Sequence, residues 1–194
     1  MVVVDWPSET CVTAWVWTAM ERRGLSGGDP SALARHLETH LPDRATPNPW
    51  GLAVSTAASH VGVRPRDAER LLPAYLQARD PDLAFRYAPV DVVAMDSHAA
   101  FLAEAMDAGV DIGAGMDVSR FSSRSDVLRH VVSVDGLEDR AVLLRDPVGQ
   151  VALPSRMRVD DFVDLVGQAG GGFWLLGPRE ALLALRHVMP WTTA

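Results

Sequence analysis

Arg129-His130-Val131-Val132-Ser133-Val134-Asp135, then Gly136 to Arg140, then Ala141-Val142-Leu143-Leu144-Arg145-Asp146-Pro147 is the stretch whose reading decides the fold. Two runs of branched and aliphatic residues flank five residues that carry a glycine and two acids, which is the pattern of a β-hairpin. With an odd loop centred on Glu138, Val134 lies opposite Val142, Val132 opposite Leu144 and His130 opposite Asp146. Directly opposed side chains have Cβ atoms about 5 Å apart, so this register predicts a His130–Asp146 hydrogen bond at the open end of an apolar face. A carboxylate accepting one imidazole N–H fixes the tautomer and leaves the other nitrogen to exchange a proton with a nucleophile. The alternative is a satisfied polar pair at a strand end with no chemistry of its own.

Beyond the hairpin the strand signal continues, and before it helices dominate. Val90 to Ala94 and Val110 to Ala114 read as short strands around a helix that Ser97 opens and Gly109 ends. Short helices are expected at Asp160 to Gly167 and Arg179 to His187, with a strand at Phe173 to Leu176 between them. In the first half, helices are expected at Thr10 to Arg23, from Asp29-Pro30 to about Leu41, at Gly51 to His60, and at Asp67 to Gln77. Helices first and antiparallel strands later predict an α+β architecture in one domain spanning residues 1–194.

With 194 residues the chain buries roughly 70% of its unfolded surface in a single core. A hydrophobic content of 48% and a charged content of 22% are ordinary for a soluble globular protein. The net charge of −7 argues against nucleic acid or an anionic membrane as a partner. All 18 basic residues are arginine, which excludes Schiff-base lysines, Ser-Lys dyads and Walker-type phosphate loops. One cysteine cannot close an internal disulfide, and Met1-Val2-Val3-Val4-Asp5 is too short an apolar run for a secretion signal or a span. A cytoplasmic protein is therefore expected.

That cysteine, Cys11, opens the tryptophan-rich helix Cys11-Val12-Thr13-Ala14-Trp15. A thiol in a first helical turn meets the positive end of the macrodipole, which favours the thiolate. A lone cysteine also serves as a small buried hydrophobe. The expected His130–Asp146 pair downstream favours the nucleophile, because a helix-start cysteine with a histidine and an aspartate near paired strand ends makes a thiol, a base and its orienter.

This order, with a helix from Gly51-Leu52-Ala53 onward, a strand reading HVVSVDG and an Asp-Pro sixteen residues after His130, resembles the bacteriocin-processing, double-glycine leader peptidases. These form a branch of the papain-like cysteine peptidase superfamily. Phe162, in Val159-Asp160-Asp161-Phe162, is similar to a hydrophobic position that follows the Asp-Pro strand in such domains. The resemblance implies a papain-like α+β fold, with a helical N-terminal half whose cysteine packs on an antiparallel sheet carrying histidine and aspartate. It assigns Cys11 as nucleophile, His130 as general base and then acid, and Asp146 as orienter. Relatives carry a glutamine before the cysteine and a glycine after it, whereas here the first glutamine is Gln77 and Val12 follows Cys11. The upstream donors are the Trp6 indole and the Ser8 hydroxyl, alongside the Cys11 N–H, and an ionised Asp5 would oppose an oxyanion. Trp6 and Trp15 are candidates to line an apolar substrate pocket. The long stretch between Cys11 and His130 suggests a helical insertion around residues 41–89 that shapes the cleft.

Other groups carry weaker signals. His36 and His40 have metal-ligand spacing but no third ligand and no glutamate after the first histidine. His60, His98 and His187 have no evident partners, and the acid pairs Asp80/Asp82, Glu138/Asp139 and Asp160/Asp161 fall in turns or at helix starts, where carboxylates are favoured anyway. Gly170-Gly171-Gly172 reads as a loop. Neither metal nor cofactor is expected. Three functions follow: a cysteine peptidase or amide hydrolase working through a thioester, an acyltransferase or cyclase of a natural-product pathway using the same thiol, and a non-catalytic papain-like binding module. The expected partner is a peptide or an acyl or amide small molecule.

Overall fold

The hairpin forms the middle of a six-stranded sheet. The computed structural model describes residues 6–7, 9–25, 28–42, 48, 50–55, 61–93, 98–122 and 129–185. In chain order the elements are α1 (Cys11–Arg22), α2 (Pro30–His36), β1 (His40–Pro42), β2 (Ala53–Ser55), α3 (Pro65–Gln77) and β3 (Leu83–Pro89), followed by a 3₁₀ turn at Val90–Val92. Then come α4 (His98–Asp107), β4 (Asp111–Asp117), β5 (Arg129–Glu138), β6 (Ala141–Arg145), β7 (Arg156–Arg158), α5 (Val159–Gln168), β8 (Gly172–Pro178) and α6 (Arg179–Ala184). The main sheet is antiparallel throughout, in the order β3-β8-β4-β5-β6-β7, and β1 and β2 form a small parallel pair apart from it.

Alternation along the strands divides the core between the two faces of the sheet. Ile112, Ala114, Val132, Val134, Phe173 and Leu175 pack with Phe101 of α4 and Phe162 of α5. Val131, Trp174 and Leu176 turn the other way, onto Trp15 and Met20 of α1 and Leu72 and Leu76 of α3. The expected α+β architecture is present. Among the described residues no helix is long and apolar enough to cross a membrane.

Several elements differ from the sequence expectations. α2 stops at His36 because Glu38 turns left-handed, with φ 50°, and the Thr39 and Glu38 N–H groups bond back to the Ala34 and Arg35 carbonyls. This is a Schellman closure built without its usual glycine, so no sequence signal marked it. The helix expected from Gly51 is instead the strand Ala53–Ser55, paired to β1; residues 56–60 lie outside the described residues. The strand expected at Val90 to Ala94 is the 3₁₀ turn, and the real strand precedes it, with Leu83, Phe85 and Tyr87 facing α1 and α3. Pro89 ends that strand.

The hairpin register also differs. Asp139 and Arg140 form a tight two-residue turn with φ values of 48° and 61°, setting Glu138 opposite Ala141. A bulge at Asp135 shifts the ladder once more, so that Val134 faces Leu144 and pairing with β6 ends at Ser133 and Arg145. His130 has Met116 of β4, not Asp146, as a cross-strand partner.

A thiol and an imidazole on a cleft, with a carboxylate bonded to the imidazole

α1 is fixed against the sheet at both ends. Near its start Trp15, 1% exposed, lies against Gly113 of β4, where an added Cβ would come within 2.8 Å of the indole. At its end Arg22 donates to Asp111 and Asp135 and Arg23 donates to Asp111, over distances of 2.5–3.0 Å. Asp135 is the bulged residue of β5, so the irregularity in the hairpin is also the anchor of the helix. Cys11 is the half-buried first residue of that helix. Thr10 leaves the first turn uncapped, its hydroxyl donating back to the Pro7 carbonyl at 2.6 Å. The N–H groups at the start of the helix therefore add their positive end to the surroundings of the thiol. Glu9, just before, has φ 68°, a left-handed turn unusual for a side-chain-bearing residue.

His130, the second residue of β5, interacts with Cys11. Its Nε2 donates to Asp146 Oδ1 at 2.7 Å, and the two side chains are 6% and 5% exposed. Asp146 reaches the ring because the chain leaves the ladder at Asp146-Pro147 and curls around the carboxylate. Oδ1 also accepts the Val148 N–H, and Oδ2 accepts those of Gln150 and Val151. Burial opposes the charge on Asp146, but the His130 hydrogen bond and charge and these backbone donors outweigh it, holding the carboxyl down at about 2. Burial likewise opposes protonation of His130; the Cys11 charge, the Asp146 hydrogen bond, a hydrogen bond with Cys11 and the Asp146 charge overcome it and push the imidazole up to about 10. With Nε2 committed to Asp146, Nδ1 is the nitrogen left for the thiol.

Cys11 and His130 line a cleft of about 470 Å³, with Val12 and Val131 beside them, while Asp146 is not part of its lining. The segment 61–65 before α3 and Ala169-Gly170-Gly171 after α5 border it, with Tyr87, Gly115, Arg129 and Trp174. None of these bordering residues stood out in the sequence; alternation along β3 and β8 would have put Tyr87 and Trp174 on the face of α1. The upstream candidates fare differently. Trp6 packs edge-on against Trp50 at 5.3 Å and Trp15 is core, so neither lines the cleft; Asp5 and Ser8 lie outside the described residues.

The remaining histidines do not converge. His36 bonds the Leu71 carbonyl, His40 the Glu38 carbonyl and His98 the Val90 carbonyl, while His60 and His187 lie outside the described residues. Among the described residues no cluster of histidine, cysteine and acids could hold a metal.

No family model matches the chain, and no curated protein matches it in sequence. The fold does match solved structures. The crystal structure of a protein described as a C39-like peptidase from Bacillus anthracis superposes with a TM-score of 0.55 over 89% of this chain and 90% of that one, at 16% identity. At that identity the likeness is one of fold.

Proposed function

We propose that the protein is a cysteine-dependent peptidase or amide hydrolase with Cys11 as nucleophile, His130 as its proton partner and Asp146 as the group that orients His130. One observation carries this reading: a single imidazole on the lining of a cleft interacts with the only thiol and is bonded through Nε2 to a fully bonded carboxylate. The papain-like fold and the order Cys11, His130, Asp146 support it, and on that order we set the chain beside the leader-processing branch of the superfamily.

With the imidazole held protonated to about pH 10, His130 meets the substrate as an acid once the Cys11 sulfur has given up its proton. The Cys11 sulfur adds to the substrate carbonyl, and the oxyanion forms beside the uncapped N–H groups of the α1 first turn. As the C–N bond breaks, His130 gives its Nδ1 proton to the leaving amine, leaving a thioester on Cys11. The now neutral imidazole takes a proton from water, whose oxygen adds to the thioester carbon. Collapse breaks the C–S bond, releases the acid and returns Cys11 and the protonated His130 for the next cycle. Asp146 keeps its charge throughout and steadies the imidazolium.

Iodoacetamide tests the nucleophile without knowledge of the substrate. Native protein is expected to alkylate at Cys11 faster than the urea-unfolded chain, and a His130→Ala variant is expected to lose that advantage. Cys11→Ala is expected to abolish turnover of peptide aryl amides. Turnover that survives in Cys11→Ala would overturn the reading.

A further inference from the structure

Three hydrogen-bond donors, on Trp174, Tyr87 and Arg129, line one edge of the cleft. Trp174 is 3% exposed and lines the cleft. Gly115, whose added Cβ would stand 3.6 Å from the indole nitrogen, keeps the space in front of it open. Tyr87 packs edge-on against Trp174 at 5.3 Å; burial raises its pKa, so its hydroxyl stays a donor. Arg129, beside His130 in sequence, sends a guanidinium nitrogen to within 4.0 Å of where a Gly170 side chain would begin, and its charge is felt at Tyr87. Arg129 has no ion-pair partner among the described residues. Its cross-strand neighbour Asp117 feels its charge but turns its carboxylate onto the Ser119 N–H, and the other arginine of the cleft, Arg64, is taken by Asp67.

An arginine with no ion-pair partner among the described residues, beside two neutral donors in a chain of net charge −7, is a local reversal of sign that attracts an anion. Among the described residues of the cleft lining, Glu9 is the one carboxylate. We propose that Arg129, Tyr87 and Trp174 form a subsite for a carboxylate of the substrate, so that the enzyme prefers acyl or peptide substrates carrying an acidic group next to the amide it cleaves. This rests on the reading of Cys11 as nucleophile. The carboxylate could belong to an acidic side chain or to a free C-terminus, and both would be read by the same donors.

Iodoacetate and iodoacetamide differ only in that one carries a carboxylate, so the ratio of their rates at Cys11 reads the subsite and cancels any change in the thiol itself. Arg129→Gln is expected to lower that ratio by about tenfold, the worth of one charge-assisted hydrogen bond, and Tyr87→Phe by about threefold. Arg156→Gln, on exposed β7, is expected to leave it alone. Peptide aryl amides paired as Glu against Gln, each amidated or with a free C-terminus, distinguish the two sources of the carboxylate; the preferred source is the one whose advantage falls in Arg129→Gln. A ratio that Arg129→Gln does not move, in protein whose Cys11 still reacts rapidly with iodoacetamide, overturns the subsite and leaves the nucleophile standing. Slow reaction of native Cys11 with both reagents overturns the nucleophile and the subsite with it.

Discussion

His130 and Asp146 are bonded at 2.7 Å without being cross-strand partners. The β5–β6 ladder ends before either residue, and the contact is made by the turn after Pro147 folding back over the carboxylate. Holding the imidazole thus falls to a loop closed by three backbone N–H groups, while the hairpin supplies the strand end from which His130 projects.

Substitution of Asp146 is therefore expected to act on stability and on His130 together. Asp146→Ala removes the partner of a buried ion pair and the acceptor of three N–H groups, and is expected to cost about 3 kcal/mol in a urea melt. Asp146→Asn keeps one oxygen for His130 but turns an amide toward the Gln150 and Val151 donors. It is expected to fold better than the alanine variant and to retain more activity, with both well below the native rate. Full activity in Asp146→Ala would remove Asp146 from the orienting role.

The pH dependence of stability has two edges, one from each partner. His130 is raised from 6.5 to about 10 in the fold, so its contribution is complete below pH 6.5 and is lost as pH climbs toward 10. Asp146 is lowered from 3.8 to about 2, so its contribution is complete above pH 3.8 and is lost as pH falls toward 2. Thermal melts are expected to show a plateau from about pH 4 to 6.5 with losses on both sides. In Cys11→Ala the alkaline loss is expected to shrink, since the Cys11 charge is one of the causes that raise His130.

Close approach of α1 to β4 depends on Gly113. Gly113→Ala puts a methyl group 2.8 Å from the Trp15 ring, in a core where that ring cannot withdraw, and is expected to cost about 1–3 kcal/mol. Alkylation of Cys11 by iodoacetamide is expected to slow as the helix is pushed off the sheet, although the substitution is far from solvent.

At the other end of the helix, Arg22→Ala removes donors to Asp111 and Asp135 and leaves Asp135 with Arg145 and Ser133. These groups are partly exposed, so a loss of about 1 kcal/mol is expected in denaturant unfolding. Hydrogen exchange is expected to quicken in the last turn of α1 and around the β5 bulge, and to remain slow in α5.

What the sequence made legible was whatever local patterning decides. Cys11 at a helix start, the strands on either side of Asp139-Arg140 and the closing Asp-Pro could all be read from periodicity and turn residues; the contact of His130 with Asp146 was expected from a direct cross-strand pairing that the structure does not have. The register could not, because the two-residue turn uses Asp139 and Arg140 in place of asparagine and glycine, and the bulge at Asp135 is held by Arg22 from a distant helix. The β1–β2 pair escaped for the same reason: small residues at Gly51 onward fit a helix until His40–Pro42 offers a strand to pair with. Trp6 and Trp15 were drawn toward the cleft by nearness in sequence, whereas packing sends one to Trp50 and the other under Gly113. The true borders of the cleft, at Gly62, Tyr87, Gly170 and Trp174, come from four separate elements that only the fold brings together.

The central claim is that Cys11 forms a covalent acyl intermediate with the help of His130. Intact-mass spectrometry of the protein mixed rapidly with a peptide aryl ester measures this directly. We predict one acyl group per chain, mapped to Cys11, formed at a rate at least about tenfold lower in His130→Ala, as expected when a positioned proton partner is lost. An acyl adduct that fails to appear on Cys11, or that forms equally fast in His130→Ala, would contradict the account.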